Sequence, residues 1–335
     1  MARRSKKSLW TRSFQRTVSA LARSTIKAGS RALKQSLRAP KAKKASVIAS
    51  QGDWVAGVAM APLGARRYHL FKPPGVQLHE RLPLLVMLHG CGQDAQSFAL
   101  STRMNRLAAR ERFLVLYPEQ DRRANPQGCW NWYGTRTKVA YGEAAILMAA
   151  VQQASLLYPV DPERIAIAGM SAGASMAALM VTRYPDHFKA VTMHSGVPPG
   201  AAESTVSALA AMRGRGAKQA LSTTTAWPAL LVIHGNQDTI VAPSNGAAAA
   251  KLWAEAAGPH AEKSRQVSRG QRYPMTVTDF KVRGGRTVAT LCAIDGLAHA
   301  WSGGQARQAY SDPKGPDASR MIWSFAAKQF KLAKP

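Results

Sequence analysis

A short run of β-branched and small apolar residues, Arg164–Ala168 (RIAIA), stops at Gly169-Met170-Ser171-Ala172-Gly173, and a helical pattern of small and apolar residues follows at once. The G-x-S-x-G spacing describes a strand that turns directly into a helix with a serine at the apex. A turn that tight strains the φ of the serine, and only glycines two residues either side leave room for the crossing backbones. Ile165, Ile167 and Ala168 read as a buried strand. Ala174, Met176, Ala177, Ala178, Leu179 and Met180 read as a helix that ends near Tyr184-Pro185. A chain with this feature needs a sheet whose strands are covered on both faces, with the serine hydroxyl at the carboxyl end of one strand.

The rest of the chain agrees. Strand patterns recur at Trp54–Met60, Arg67–Phe71, Leu84–Leu88, Phe113–Tyr117, Ala190–Met193, Ala229–His234 and Thr287–Ile294. Helical patterns occupy Thr102–Arg110, Gly142–Leu157, Ala174–Arg183, Asn245–Ala257 and Asp317–Phe330. This alternation predicts an α/β fold with a mostly parallel central sheet flanked by helices. The first two strands have no helix between them and predict an antiparallel start. In open sheets of this kind ligands bind beyond the carboxyl ends of the strands. His89-Gly90, Ser171, His194-Ser195-Gly196, His234–Asp238 and Leu297-Ala298-His299 all fall there.

A serine hydroxyl is a weak nucleophile at neutral pH. It needs a base within hydrogen-bond reach and an acid that holds the base in the right tautomer. On a strand–elbow–helix scaffold the chain order is serine, acid, histidine. Asp238 is the acid that this order selects, and His299 the base. Asp295 lies too near the last strand, and Asp312 and Asp317 follow the histidine. His194 and His234 end strands, where an imidazole packs, and His187 follows a surface turn. Backbone donors for an oxyanion are expected at the N–H of Ala172, beside the nucleophile at a helix N-terminus, and at the N–H of Cys91 in the His89-Gly90-Cys91-Gly92 loop, which His89 orients. Trp130, Trp132 and Tyr133, with Trp301 two residues after the base, stand beside these loops and have two readings: the lining of an apolar cleft, or core.

Composition bounds the rest. Of 46 Lys and Arg, fourteen fall in residues 1–50, which contain no Asp or Glu, so half of the net charge of +28 sits in the first seventh of the chain. Arg12, Arg16 and Arg23 interrupt every stretch that could serve as the apolar core of a secretory signal. Trp10, Phe14, Val18, Leu21, Thr25, Ala28 and Ala32 recur at helical spacing. Residues 1–50 are therefore read as a basic arm and linker, either an amphipathic helix for an anionic or granule surface or a solvated arm, with nucleic acid and an organellar presequence compatible with the same charges. The catalytic domain is expected over 51–335. No apolar run reaches the roughly 18 residues that cross a bilayer. Cys91 and Cys129 lie in loops that rise at the same end of the sheet, where a bridge and two free thiols are both open; Cys292 sits in an apolar run and reads as core.

PLLVMLHGCGQDAQSF, NPQGCWNWY, YGEAAILMAAV, the elbow with its flanks, HGNQDTIV and GLAHAWSGG together resemble the polyhydroxybutyrate depolymerase family of esterases, from about Ala59 to Phe330. The resemblance implies an α/β-hydrolase fold, ester hydrolysis through an acyl-enzyme, neither metal nor organic cofactor, and Ser171, Asp238 and His299 as the family's serine, aspartate and histidine. It also implies an extracellular protein. Secreted polymer-degrading members carry a signal peptide and a C-terminal linker with a substrate-binding domain. The arm stands where the signal is expected and the chain stops soon after its last helix, which points also to intracellular granules, soluble 3-hydroxybutyrate oligomers, or feruloyl and acetyl esters of plant polysaccharides.

Overall fold

The computed structural model describes residues 52–77, 79–217 and 226–332. The basic arm and its helical pattern lie outside the described residues. In chain order the elements are β1 (Asp53–Ala61), β2 (Gly64–Lys72), β3 (Leu82–Leu88), α1 (Ala95–Thr102), α2 (Met104–Glu111), β4 (Leu114–Pro118), α3 (Val139–Leu157), β5 (Val160–Met170), α4 (Ala172–Arg183), a 3₁₀ turn at Pro185–His187, β6 (Ala190–His194), α5 (Thr205–Met212), β7 (Ala229–Gly235), α6 (Ser244–Ala257), β8 (His260–Val267), β9 (Met275–Val282), β10 (Thr287–Ile294), β11 (Trp301–Ser302), β12 (Ser311–Asp312) and α7 (Ala318–Leu332). Ten strands form one sheet in the order β1-β2-β4-β3-β5-β6-β7-β10-β9-β8. The middle is parallel, from β4 through β3, β5, β6 and β7 to β10. Both ends are antiparallel: β1 pairs β2 and β2 pairs β4 on one side, β10 pairs β9 and β9 pairs β8 on the other.

Every residue of β3 is buried, the mark of a strand covered on both faces. Leu84, Val86 and Leu88 pack with Leu147 of α3, Met176 of α4 and Trp253 of α6. The alternate Leu85 and Met87 pack on the opposite face with Phe98 of α1, Met104 of α2 and Ile322 of α7. Among the described residues no helix is long and apolar enough to cross a membrane.

Three regions differ from the sequence reading. The pattern at Thr102–Arg110 corresponds to α2, but a further helix, α1, precedes it unread; it opens on a capping box between Asp94 and Ser97 and ends at Arg103, whose φ is 56°. Strand β8 goes unread because all but the ends of HAEKSRQV are exposed, leaving no apolar period to detect, and β9 goes unread although it alternates at Met275-Thr276-Val277-Thr278. α5 was also missed, although Ser204 and Ser207 form a capping box at its start.

Candidate active site

The elbow is built from two glycines and one strained serine. Ser171 follows β5 directly and caps α4 with φ 55° and ψ −122°. A Cβ on Gly169 would collide with the backbone of Gly173, and a Cβ on Gly173 would collide with the carbonyl of Leu88 in β3, so both positions exclude any side chain. The Ser171 N–H donates to the His194 carbonyl of the neighbouring strand (2.9 Å), and its own carbonyl receives the N–H groups of Ala174 (3.0 Å) and Ser175 (3.1 Å). The hydroxyl makes no hydrogen bond among the described residues. The backbone is therefore held on both sides while the Oγ is left uncommitted.

Asp238 and His299 meet across two loops that are laced together. Asn236 N–H donates to the Ile294 carbonyl (3.0 Å) and Gln237 N–H to the Leu297 carbonyl (3.0 Å). The Asn236 side chain donates to Asp295 Oδ1 (3.0 Å) and accepts from Gly296 N–H (2.8 Å). Gly235 is needed here because a Cβ would strike the Leu297 carbonyl. This lacing brings His299 Nδ1 to 2.7 Å from Asp238 Oδ2. The other Asp238 oxygen accepts the N–H groups of Ile240 (3.0 Å) and Val241 (2.8 Å). Burial acts to raise this carboxyl, but His234 at 3.4 Å, His299 and the Val241 amide outweigh it and hold the group well below the usual carboxylate range. Asp238 is thus ionised and fixes the Nδ1–H tautomer of His299, leaving Nε2 with the lone pair of a base.

His194 joins the nucleophile to the base loop. Its carbonyl holds Ser171, and its Nε2 accepts the N–H of Ser302 (3.1 Å), three residues beyond His299. That acceptor role leaves the proton on Nδ1, which faces Ser195 Oγ at 3.2 Å. The ring is wholly buried and stacks on Trp301 with centroids 5.0 Å apart. Burial, then the neighbouring His234 and His299, push its pKa down to about 3. An unfolded chain would protonate this imidazole below about pH 6.5, whereas the folded protein refuses the proton until about pH 3. Stability is therefore fully present above the upper value and is lost as the pH falls through that window. The expected result is a Tm that drops on acidification, with a shallower drop in His194→Gln; parallel curves for the two proteins would reject the assignment.

The loop after β3 lies against the elbow. A Cβ on Gly90 would sit 3.6 Å from the Ser171 Cβ. His89 is buried and neutral, pushed down by burial. Its Nδ1 pairs with the Gly90 carbonyl (2.8 Å) and its Nε2 accepts the N–H of Gln120 (3.1 Å). Gln93 closes the loop by accepting the Gly90 N–H (3.0 Å). The N–H groups of Cys91 and Ala172 have no acceptor among the described residues, and Ala172 stands at the positive end of α4. Cys91 and Cys129 are joined by a disulfide, a choice that the sequence left open. With its cysteines 38 positions apart in the chain, such a link constrains the unfolded chain by about 4 kcal/mol in the chain-entropy picture.

The aromatic residues divide. Trp130 and Trp301 are fully buried, so neither lines a cleft, and the core reading describes them. Trp130 donates to the His89 carbonyl (2.9 Å) from beneath the loop. Trp301 packs edge-on against Phe98 and donates to Ser319 (3.3 Å). Trp132 is also buried, edge-on to Tyr133, which alone of the four remains partly exposed. The sequence reading missed what lies under them: Arg66 and Glu143, 3% and 4% exposed, pair at 3.2 Å. Glu143 accepts from Asn131 N–H (2.7 Å) and from Gln120 Nε2, which also reaches the Cys129 carbonyl (2.9 Å). Burial pushes Glu143 up against these donors. The available signal was a lone carboxylate inside the apolar pattern of α3, since such a charge is retained only with partners.

Comparison with known proteins identifies the family and the fold. The family profile described as "Esterase PHB depolymerase" matches residues 66–256. Poly(3-hydroxyalkanoate) depolymerase C of Paucimonas lemoignei is 32% identical over 193 residues, covering 52% of this chain and 45% of that protein. Feruloyl esterase B of Thermothelomyces thermophilus is 28% identical over 210 residues, covering 57% of this chain and 70% of that protein. The match thus spans less than half the length of the depolymerase. Among solved structures, the acetyl xylan esterase from Aspergillus awamori superimposes with a TM-score of 0.62 at 19% identity, covering 74% of this chain and 94% of that one, which shows a shared fold. The chain belongs to the esterase PHB depolymerase family and has an α/β-hydrolase fold.

Proposed function

We propose that this chain hydrolyses carboxylic esters through an acyl-enzyme, with Ser171 as nucleophile, His299 as base and Asp238 as the acid that orients it. The observation that carries this reading is the 2.7 Å contact of His299 Nδ1 with the buried Asp238, tied through His194 to the elbow serine. His299 Nε2 takes the Ser171 proton as Oγ attacks the ester carbonyl, and the N–H groups of Ala172 and Cys91 receive the oxyanion. The protonated imidazole then gives its proton to the departing alcohol. Water, deprotonated by the same Nε2, releases the acid and restores the serine.

For the substrate class, family membership and the depolymerase relative support poly(3-hydroxybutyrate) or its oligomers. A second reading, a feruloyl or acetyl xylan type of ester, rests on the feruloyl esterase match, which covers the larger share of its relative. A panel of 3-hydroxybutyrate oligomers, polymer granules, feruloyl esters and acetylated xylan decides between them; preference for either plant ester overturns the polyester assignment. The Cys91–Cys129 disulfide supports an oxidising, extracellular setting. In this proposal residues 51–335 form the catalytic domain and the basic arm, 1–50, holds it to an anionic or granule surface. Deleting residues 1–45 is expected to leave hydrolysis of a soluble ester unchanged and to weaken granule binding at least tenfold in a sedimentation assay. Equal binding by the two forms would dispose of the tether.

A further inference from the structure

A cavity of about 770 Å³ opens between α2, α7 and the loop that joins β8 to β9, and none of Ser171, Asp238 or His299 lines it. Six arginines do: Arg103, Arg106, Arg110, Arg269, Arg272 and Arg320. Among the described residues the single carboxylate on its wall is Asp317, which is 3.6 Å from Arg320. Arg110 is paired with Glu111 at 2.8 Å. The remaining four have no carboxylate partner among the described residues. Two of them are nonetheless held in place by backbone carbonyls: Arg103 donates to Gly303, and Arg272 donates to Gly315 (2.5 Å) and Pro313 (3.4 Å). A carbonyl orients a guanidinium without neutralising it.

We infer that this cavity binds a compact ligand bearing several phosphate groups, at a site separate from the esterase centre. Four uncompensated cations drawn from two segments, the start of α2 and the β8–β9 loop, repel one another, and a single monovalent anion would leave most of that charge unbalanced. Clustered phosphates supply several charges in a small volume, and their oxygens match the planar fork of a guanidinium two at a time. The volume lies in the ordinary range for small-molecule sites, roughly 300–1,000 Å³. Pre-oriented Arg103 and Arg272 reduce the ordering cost of binding. Arg106 and Arg269 are exposed, so substituting them removes charge without disturbing the core.

The test uses the full chain, since the basic arm also attracts anions. Binding of inorganic tripolyphosphate is measured by calorimetry at constant ionic strength for the parent protein, for Arg106→Gln/Arg269→Gln and for Arg283→Gln/Arg286→Gln. The last variant removes the same charge from the exposed β9–β10 turn. Vesicles carrying a phosphorylated inositol headgroup form a separate arm, which distinguishes a lipid source of the phosphates from a soluble one. Saturable binding of either probe that weakens at least tenfold in the cavity variant, and stays within twofold in the control, is expected. Equal weakening in both variants, no effect of the cavity variant, or no saturable binding of either probe would overturn the site. Unchanged ester hydrolysis in the cavity variant separates this inference from the esterase reading, which stands or falls on Ser171.

Discussion

Ser171→Ala will lower the kcat of p-nitrophenyl butyrate hydrolysis by about 10⁶-fold, the loss seen when the nucleophile of a concerted triad is removed. The same protein will melt within about 2 °C of its parent, because a surface-type truncation costs within about 0.5 kcal/mol. Two features make the separation of activity from stability sharp. The Ser171 hydroxyl makes no hydrogen bond among the described residues, so its removal leaves no donor unpaired. The strain of φ 55° is a property of the backbone, and alanine meets it as serine does. The structural restraints of the turn lie in Gly169 and Gly173, which the substitution leaves alone. A purified variant that keeps a tenth of the parent rate would end the assignment of Ser171 as nucleophile.

Asp238→Asn is expected to cost about 10⁴-fold in kcat, for a different reason. The Asn side chain preserves shape and can still accept the Ile240 and Val241 N–H groups with its carbonyl oxygen, which keeps the loop in place. What remains to face His299 Nδ1 is then an NH₂ group, a donor where the imidazole needs an acceptor. The ring answers by moving its proton to Nε2, the atom that must accept from Ser171. An imidazolium formed during the reaction also loses the charge that steadies it. The parent and variant should therefore share a KM within about threefold while kcat collapses, since uniform binding is untouched. A variant with a kcat loss below tenfold would show that another carboxylate orients the base; Asp295, engaged by Asn236, would be the next to examine.

The nucleophile and the sheet around it were legible in the chain because their constraints are local. The glycine spacing around Ser171 is set by backbone crossings within one turn, and the central strands announce themselves as unbroken apolar runs such as Leu82–Leu88. Strand β8 was illegible for the converse reason: an edge strand solvated on both faces has no apolar period, whereas its partner β9 buries Met275, Val277 and Phe280 and did carry a readable alternation. His194 was legible only as a packing residue. Its further role depends on the Ser302 amide, which lies 108 positions away and reaches the ring through tertiary structure alone.

Chain order, glycine spacing and side-chain chemistry thus pointed to Ser171, Asp238 and His299 and to a parallel sheet, since each rests on covalent order or on contacts within a few residues. Tertiary structure alone decided that Cys91 meets Cys129, that Trp130 and Trp301 are core, that Glu143 finds Arg66, and that six arginines converge on one cavity. Those outcomes turn on distances between segments far apart in the chain, and such distances exist only once the sheet has set the register of every strand.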